Sequence, residues 1–331
     1  MSMNMTDGKV LTYSPAGDQS LEVGGGLLLP GPRLSITVPA TSANLGVGFD
    51  VMGLALNLVA IFTFSPAKEL TVYGCLEEFC NEQNLVWTSY TTACKMLDVV
   101  PRTVAIGIDS PLPLSGGLGS SSTCVVAGVV AAQLLSGRPF DRSLTLNMAT
   151  AIEGHPDNVA PAVYGGLTSS FVEAGTTYAA VMPVGENLRF VAMAPPYVVR
   201  TDEARKALPT TIPLQTAVWQ MGRCVAMADA LARGDTQLIA KACHDKLHEP
   251  HRMLLIPDYD VLRTRALQAG ACAFIISGSG STMLAVTDGD DVARDVVEAT
   301  HNMVDGLWIR VLRAHTGGTT TFIENGPNKV N

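Results

Sequence analysis

The chain has 331 residues, of which 47% are hydrophobic and 16% are charged. This composition supports one large or two ordinary globular domains, and it excludes a disordered chain or a protein that coats nucleic acid. A net charge of −8 disfavours non-specific binding to nucleic acid or anionic membrane, so an anionic ligand would need locally placed donors.

The predicted elements alternate along the whole chain. Residue alternation and breaker residues predict strands at 34–38, 51–64, 70–73, 103–108, 167–173, 177–182, 189–194, 271–276, 283–287, 307–313 and 319–324. Helical spacing predicts helices at 84–97, 120–135, 143–153, 201–209, 213–233, 236–248, 258–269 and 290–303. In helix 213–233 one face collects the apolar residues Leu214, Val218, Met221, Val225, Ala228 and Leu231. This mixed order indicates an α+β architecture in two lobes.

The cysteine content and the targeting signals indicate in which cellular compartment the protein is expected. Seven cysteines without a Cys-x-x-Cys pair predict a reduced, intracellular protein that has no zinc site. No segment reaches the length of a membrane span, and residues 1–32 lack the pattern of a secretory signal. We therefore expect a cytoplasmic protein. A plastid location would require a transit peptide that has been removed, because residues 1–32 hold one lysine and no arginine.

Residues 111–123, with the sequence PLPLSGGLGSSST, bring three glycines and a run of hydroxyls to the start of an apolar helix. Glycines let backbone N–H groups approach a ligand closely, and a helix start adds unpaired donors and the positive end of a dipole. The stretch therefore favours a phosphate site. It has neither the lysine of a P-loop nor the G-x-G-x-x-G spacing. A flexible loop whose serines cap the helix is the alternative.

Three further loops, 39–50, 153–161 and 277–282, are polar or rich in glycine. Magnesium needs only one or two protein oxygens, so Glu153 and a hydroxyl from 120–123 are candidate ligands. The structural alternative for Glu153 is an ordinary surface acid at a helix end.

Phosphoryl transfer depends on positioning and charge neutralisation, with a carboxylate or amide near the attacking hydroxyl. Asp157 and Asn158 offer those groups, although they could instead cap the following helix. His155 has a loop hydrogen bond as its structural alternative. Two arginines, Arg205 and Arg252, stand in polar contexts and could simply be solvated.

Several of these stretches resemble one family. PLPLSGGLGSSST resembles the P-x-x-x-G-L-G-S-S-A signature of the GHMP kinases, and ISGSGST (276–282) resembles their third motif. Four more stretches resemble homoserine kinases: VPATSANLGVGFDVMGLAL (38–56), EGHPDNVAPAVYGGL (153–167), TDEARKALP (201–209) and LHEPHRMLLIP (247–257). The resemblance covers about residues 33–324. It departs at Ser122, where the family has Ala, and at Ser281, where it has Pro.

The resemblance implies ATP-dependent phosphorylation of the L-homoserine side-chain hydroxyl to O-phospho-L-homoserine, in threonine biosynthesis. It implies a two-lobed GHMP kinase fold with a ferredoxin-like α/β C-terminal lobe, and a homodimer. The expected parts are a leader at 1–32, an ATP-binding domain at 33–187, a C-terminal domain at 188–325 and a tail at 326–331. The expected partners include neither nucleic acid nor membrane.

The resemblance also implies a set of site residues. ATP would contact Asn84, Pro113, Leu114, Ser115, Gly116, Gly117, Leu118, Gly119, Ser120, Ser121, Ser122 and Thr123. The Mg²⁺ ligands would be Ser121 and Glu153. Homoserine would contact Asn44, Asp50, Asn158, Thr201, Arg205, Arg252, Gly278 and Gly280. The catalytic residues would be Asp157, His155 and Asn158.

Alternatives stay open at this stage. Asp157 could act as a general base, or the γ-phosphate could take the proton while Asp157 and His155 hold the geometry. The acceptor could be another small hydroxylated metabolite such as mevalonate, which also carries a carboxylate. The fold could also serve as a ligand sensor without catalysis.

Overall fold

The computed structural model describes residues 22–23, 26–27, 31–114 and 116–324. Its strands are β1 (Glu22–Val23), β2 (Gly26–Leu27), β3 (Arg33–Ala43), β4 (Met52–Pro66), β5 (Thr71–Tyr73), β6 (Val104–Asp109), β7 (Leu167–Glu173), β8 (Thr176–Met182), β9 (Leu188–Ala194), β10 (Ala273–Ile276), β11 (Met283–Asp288), β12 (Trp308–Leu312) and β13 (Thr320–Glu324). Its helices are α1 (Leu85–Met96), α2 (Ser120–Leu135), α3 (Arg142–Glu153), α4 (Val159–Tyr164), α5 (Thr201–Lys206), α6 (Leu214–Arg233), α7 (Thr236–Ala242), α8 (Glu249–Arg252), α9 (Tyr259–Gln268) and α10 (Gly289–Thr300). The α+β prediction is confirmed.

Two sheets organise the chain. A seven-stranded sheet has the order β13-β3-β4-β6-β5, with β7 beside β4 and β8 beside β7. A four-stranded antiparallel sheet has the order β10-β11-β9-β12. Strand β3 shifts register between Pro39 and Ala40, which is the kind of irregularity that bends a strand. The second half of β3 contacts both glycine loops, because Thr41 N donates to Leu118 O and Gly278 N donates to Ala43 O.

Helix α2 is the central helix of the larger core. Its run from Val125 to Ala132 is buried on every side, which explains its uniformly apolar sequence. Gly128 lets α1 approach α2 backbone to backbone, because a Cβ there would lie 2.7 Å from Tyr90 N and Val86 O. The loop before α2 is thus attached to a rigid, fully packed element.

The last described strand, β13, belongs to the seven-stranded sheet. Strand β13 pairs with β3, with Thr320 opposite Thr37 and Glu324 opposite Arg33. The predicted division at 187/188 stays a prediction, although β13 lies in the sheet of the earlier part. The expected tail at 326–331 and most of the leader at 1–32 lie outside the described residues. Among the helices described, none is long and apolar enough to cross a membrane.

Several predicted element bounds differ from the structure. The helices predicted at 201–209 and 290–303 end at Lys206 and Thr300. The helix predicted at 236–248 is wrong beyond Ala242, where α7 ends. Asp245 explains the break, because its Oδ2 accepts the N–H groups of Leu247, His248 and Glu249 at 2.7–3.1 Å and so competes with the helix. Residues 40–43 were predicted as loop and instead extend β3.

The first four residues of the apolar face predicted for α6 are turned outward, whereas its last member is buried. Leu214, Val218, Met221 and Val225 are exposed, whereas Met227, Ala230 and Leu231 are buried.

Arg142 binds the segment that precedes β13 to the end of α4. Its guanidinium donates to the carbonyl of Val163 and to those of Gly317 and Thr319 at 3.1 Å each. We expect Arg142→Ala to lower the free energy of unfolding by roughly 2–4 kcal/mol, since charged donors contribute most and three acceptors lose a partner. Urea denaturation followed by circular dichroism measures this. Arg138→Ala is the matched control, because its described bond to Leu97 O is long at 3.4 Å. Equal losses in the two variants would contradict the role of Arg142.

Candidate active site

One cavity of about 1270 Å³ collects most of the predicted site residues. Its lining includes Asn44, Asp50, Asn84, Leu114, Gly116, Gly117, Gly119, Ser120, Ser121, Ser122, Thr123, Glu153, His155, Asp157, Asn158, Thr201, Arg205, Arg252 and Gly278. Three predicted residues lie outside this lining: Leu118 is fully buried, Pro113 lines a smaller cavity of about 350 Å³, and Gly280 lines neither. Ser115 lies outside the described residues.

Gly119 starts α2 with a left-handed backbone, at φ +69°. A Cβ at this position would lie 2.0 Å from Thr41 Oγ1, so only glycine lets the loop lie against β3. The Thr41 N–H donates to Leu118 O at 3.1 Å. The first N–H groups of α2 therefore face the cavity from a fixed position, as a phosphate site requires.

The 277–282 loop packs directly on the phosphate loop. Ser277 Oγ donates to Gly117 O at 2.6 Å, and Thr282 N donates to Gly116 O at 2.8 Å. Gly117 has φ +90°, and a Cβ there would lie 2.3 Å from Ser277 O. These contacts lock two glycine-rich segments from distant parts of the chain into one wall.

Thr41, a residue with no predicted site role, links the phosphate loop to the loop at 153–161. Its buried hydroxyl donates to Asn158 Oδ1 at 2.8 Å. Gly53 brings β4 equally close, since a Cβ there would lie 1.9 Å from Asp157 O. Only the position of Thr41 in the 39–50 motif could have indicated this role.

Glu153 ends α3 opposite the start of α2. Ser121 Oγ donates to Glu153 Oε2 and Ser122 Oγ to Oε1, each at 3.1 Å. Two adjacent ligands of an octahedral Mg²⁺, each roughly 2.1 Å from the ion, lie about 3 Å apart. The separation of Ser121 Oγ and Glu153 Oε2 fits that requirement. Among the described residues no group of three or more His, Cys, Asp or Glu side chains could hold a metal.

Asp157 is buried at the floor of the cavity. Its Oδ1 accepts from Asn158 N at 3.0 Å and lies 2.7 Å from His155 Nδ1. The hydrogen bond to Asp157 raises the pKa of His155 against the opposing effect of burial. No described residue donates to Asp157 Oδ2, which leaves that oxygen for a ligand.

Asp50 and Arg205 face each other across the cavity as a bidentate ion pair. Arg205 Nη1 and Nη2 lie 3.0 and 3.1 Å from the two Asp50 oxygens. Asp50 has φ +55°, and its N–H donates to Asn44 Oδ1 at 3.0 Å, so a strained turn holds the carboxylate in place. Both partners are partly exposed, which makes the pair exchangeable rather than structural.

Arg252 is a buried cation, only 2% exposed. Its Nη1 donates to Gly278 O at 2.8 Å, and its guanidinium lies 5.1 Å from the Phe49 ring centroid. Desolvation lowers the pKa of Arg252, and within the described region no carboxylate lies within ion-pair distance. A buried guanidinium that lines a cavity without a counter-ion favours an anionic ligand there.

The far end of the cavity is apolar. Leu76, Phe79 and Leu85 line it and stay exposed, which is typical of a wall that receives a flat ring. Asn84 belongs to this wall but caps α1, because its Oδ1 accepts from Val86 N at 2.9 Å. Only the family resemblance indicates Asn84 in the sequence, and no motif marks its apolar neighbours.

Comparisons with known proteins agree with this geometry. The family model for the GHMP kinases N terminal domain matches residues 73–166, and the model for the GHMP kinases C terminal matches residues 227–305. A homoserine kinase of Clostridium beijerinckii is 38% identical over 260 residues, which cover 78% of this chain and 87% of that protein. The chain belongs to the homoserine kinase family.

Solved structures support the same assignment. The crystal structure of homoserine kinase from Cytophaga hutchinsonii aligns with a TM-score of 0.77 and 29% identity, covering 88% of this chain and 97% of that one. A mevalonate kinase aligns with a TM-score of 0.62 and 15% identity, which reflects a shared fold. The predicted two-lobed GHMP kinase fold is therefore confirmed.

The two hydroxyls on Glu153 lead to a prediction. We expect Ser121→Ala to raise KM for Mg-ATP by removing a candidate ligand. Ser122→Ala should raise it much less than Ser121→Ala does, because the GHMP kinases that the chain resembles have Ala at this position. Steady-state kinetics at varied Mg²⁺ measures both. Ser136→Ala, at the other end of α2, is the control, since its hydroxyl only bonds Gln133 O. Unchanged Mg²⁺ dependence in Ser121→Ala would remove that residue from the metal site.

Proposed function

We propose that this chain transfers the γ-phosphoryl group of ATP to the side-chain hydroxyl of L-homoserine and forms O-phospho-L-homoserine, a step of threonine biosynthesis. The observation that supports an amino-acid substrate is the Asp50–Arg205 pair, which provides an exchangeable cation and anion beside the phosphate loop. Family membership supplies the kinase activity and its use of ATP.

The cavity offers separate places for the parts of ATP. The apolar wall of Leu76, Phe79 and Leu85 would take the adenine, and the backbone between Gly116 and Thr123 would take the phosphates. Ser121 and Glu153 would hold Mg²⁺, which when bound neutralises phosphate charge and orients the transferred group. Because the loop has no lysine, the start of α2 carries much of this task on the protein side.

Recognition of the amino acid follows from charge exchange. A zwitterion can replace the Asp50–Arg205 pair by giving its ammonium to Asp50 and its carboxylate to Arg205 and the buried Arg252. The substrate carboxylate, bound by both guanidiniums, would also be the counter-ion that Arg252 lacks. Asn44, Thr201 and Gly278 would complete the surroundings of the substrate, whereas Gly280 lies outside the cavity lining.

Asp157 Oδ2 is the candidate group for the substrate hydroxyl. In one version Asp157 accepts the hydroxyl proton, and in the other the γ-phosphate accepts it while Asp157 orients the hydroxyl. The hydrogen bonds from His155 and Asn158 would hold Asp157 in either version.

The two alternatives have less support. A mevalonate-like acceptor has a carboxylate but no ammonium, so it would leave Asp50 without a partner. A sensor without catalysis has no need of the Ser121–Glu153 arrangement or of the oriented Asp157.

A coupled ADP-release assay tests the function directly. We expect turnover with L-homoserine and little with L-serine or mevalonate. Turnover of mevalonate but not homoserine would overturn the proposal. Isothermal titration that shows ATP and homoserine binding without any turnover would support the sensor instead.

Arg205 tests the recognition of the amino acid. Arg205→Ala should raise KM for homoserine roughly tenfold or more while leaving KM for ATP unchanged, because it removes one partner of the substrate carboxylate. Lys206→Ala is the matched control on the same helix, where the lysine only pairs with Asp202 at the surface. An unchanged homoserine KM in Arg205→Ala would remove Arg205 from the site.

We further propose that the protein is a cytoplasmic homodimer. The exposed stripe of Leu214, Val218, Met221 and Val225 repeats at intervals of four, three and four residues, the spacing that packs two helices together. All seven cysteines are free, in keeping with a reducing compartment.

Light scattering after size exclusion should give a dimer mass. Val218→Asp should give a monomer, because it places a charge in the centre of the stripe. A monomeric wild-type protein, or a dimeric variant, would contradict an interface on α6.

A further inference from the structure

Two cysteines lie close together where the apolar end of the cavity begins, and of these only Cys75 lines it. Cys75 Sγ and Cys80 Sγ lie 3.6 Å apart, and Cys80 is exposed. A disulfide has an S–S distance of about 2.05 Å, so a small side-chain rotation and shift of the turn between them would join the two sulfurs. The proposed kinase reaction has no use for either thiol.

Cys75 lines the wall that would receive the adenine, whereas Cys80 lies beside that wall and outside the cavity lining. The residues between the two cysteines include Leu76 and Phe79, which are 53% and 44% exposed and line the cavity. Asn84 Nδ2 donates to Phe79 O at 2.9 Å and lies 3.8 Å from Cys75 Sγ. A change at the sulfurs therefore reaches both the apolar wall and the cap of α1.

We propose that Cys75 and Cys80 form a reversible disulfide that weakens nucleotide binding, so that the chain carries a thiol-modification site beside its ATP cavity. The oxidant is a low-molecular-weight disulfide. The effect on catalysis rests on the proposed function, whereas the formation of the bond does not.

The chemistry proceeds by two exchanges. The Cys80 thiolate attacks one sulfur of the small disulfide and expels a thiolate, and the Cys75 thiolate then attacks Cys80 Sγ and expels the second. The protein loses two electrons and two protons, and the small disulfide becomes two thiols. Desolvation by burial raises the pKa of Cys75 to about 11, which leaves exposed Cys80 as the first nucleophile.

The disulfide would alter the wall in a defined way. Drawing the sulfurs together removes the Cys80 thiol contacts to Cys75 O and Leu76 O, at 3.7 and 3.5 Å, and pulls Cys75 from Asn84. Leu76 and Phe79 lie within the shortened ring and must shift. Loss of one such apolar contact should raise KM for ATP by about tenfold.

The experiment equilibrates the full chain with glutathione disulfide and glutathione at graded ratios. Peptide mass mapping should find a Cys75–Cys80 link with a loss of two hydrogens, and dithiothreitol should reverse it. Binding of a fluorescent ATP analogue should weaken and KM for ATP should rise in parallel, while KM for homoserine stays unchanged.

Two cysteine variants, one at the proposed disulfide and one control, complete the test. Cys80→Ser should have the activity of the reduced protein and lose all sensitivity to glutathione disulfide. Cys272→Ser, whose thiol only bonds Val286 O, should stay sensitive. A different cysteine pair in the map, or a mapped Cys75–Cys80 bond without weaker nucleotide binding, would overturn the inference. A reduced protein that fails to phosphorylate homoserine would count against the proposed function alone, because bond formation and analogue binding are measured without turnover.

Discussion

The ion pair between Asp50 and Arg205 is the interaction on which the proposed substrate recognition depends. It joins the turn after β3 to α5 across the cavity and satisfies two charges that would otherwise lack partners. The pair is partly exposed, so its own contribution to stability is small. Its significance is chemical, because a ligand that carries both an ammonium and a carboxylate can replace it without leaving either charge unpaired. Buried Arg252 adds a reason for such a ligand to bind.

Much of the phosphate side of the site could be predicted from local sequence. Glycines before an apolar helix have a direct physical meaning, and Gly117 and Gly119 adopt the left-handed backbone that the pattern indicates. Glu153 and Ser121 were named as one metal site and lie together. These features are predictable because each depends on a helix end, whose hydrogen-bonding needs are set by a few neighbouring residues.

Other features depend on contacts between distant segments and could not be predicted. Thr41 gains its role only where β3 meets Asn158 and the phosphate loop. The pairing of Asp50 with Arg205 joins residues 155 positions apart, and the sequence indicated both only as homoserine contacts and not as partners of each other. The helix predicted to continue to 248 stops early because Asp245 offers the backbone another acceptor. The apolar period of α6 predicts a face but not which neighbour covers it.

The most direct test of the charge exchange compares L-homoserine with two trimmed substrates. The first, 4-hydroxybutyrate, lacks the ammonium, and 3-aminopropan-1-ol lacks the carboxylate. The wild-type protein should prefer homoserine strongly over both in kcat/KM. Asp50→Asn should abolish most of the preference over 4-hydroxybutyrate and keep the preference over 3-aminopropan-1-ol, since only the ammonium loses its partner. A variant that discriminates between the three substrates as the wild-type protein does would contradict the central claim.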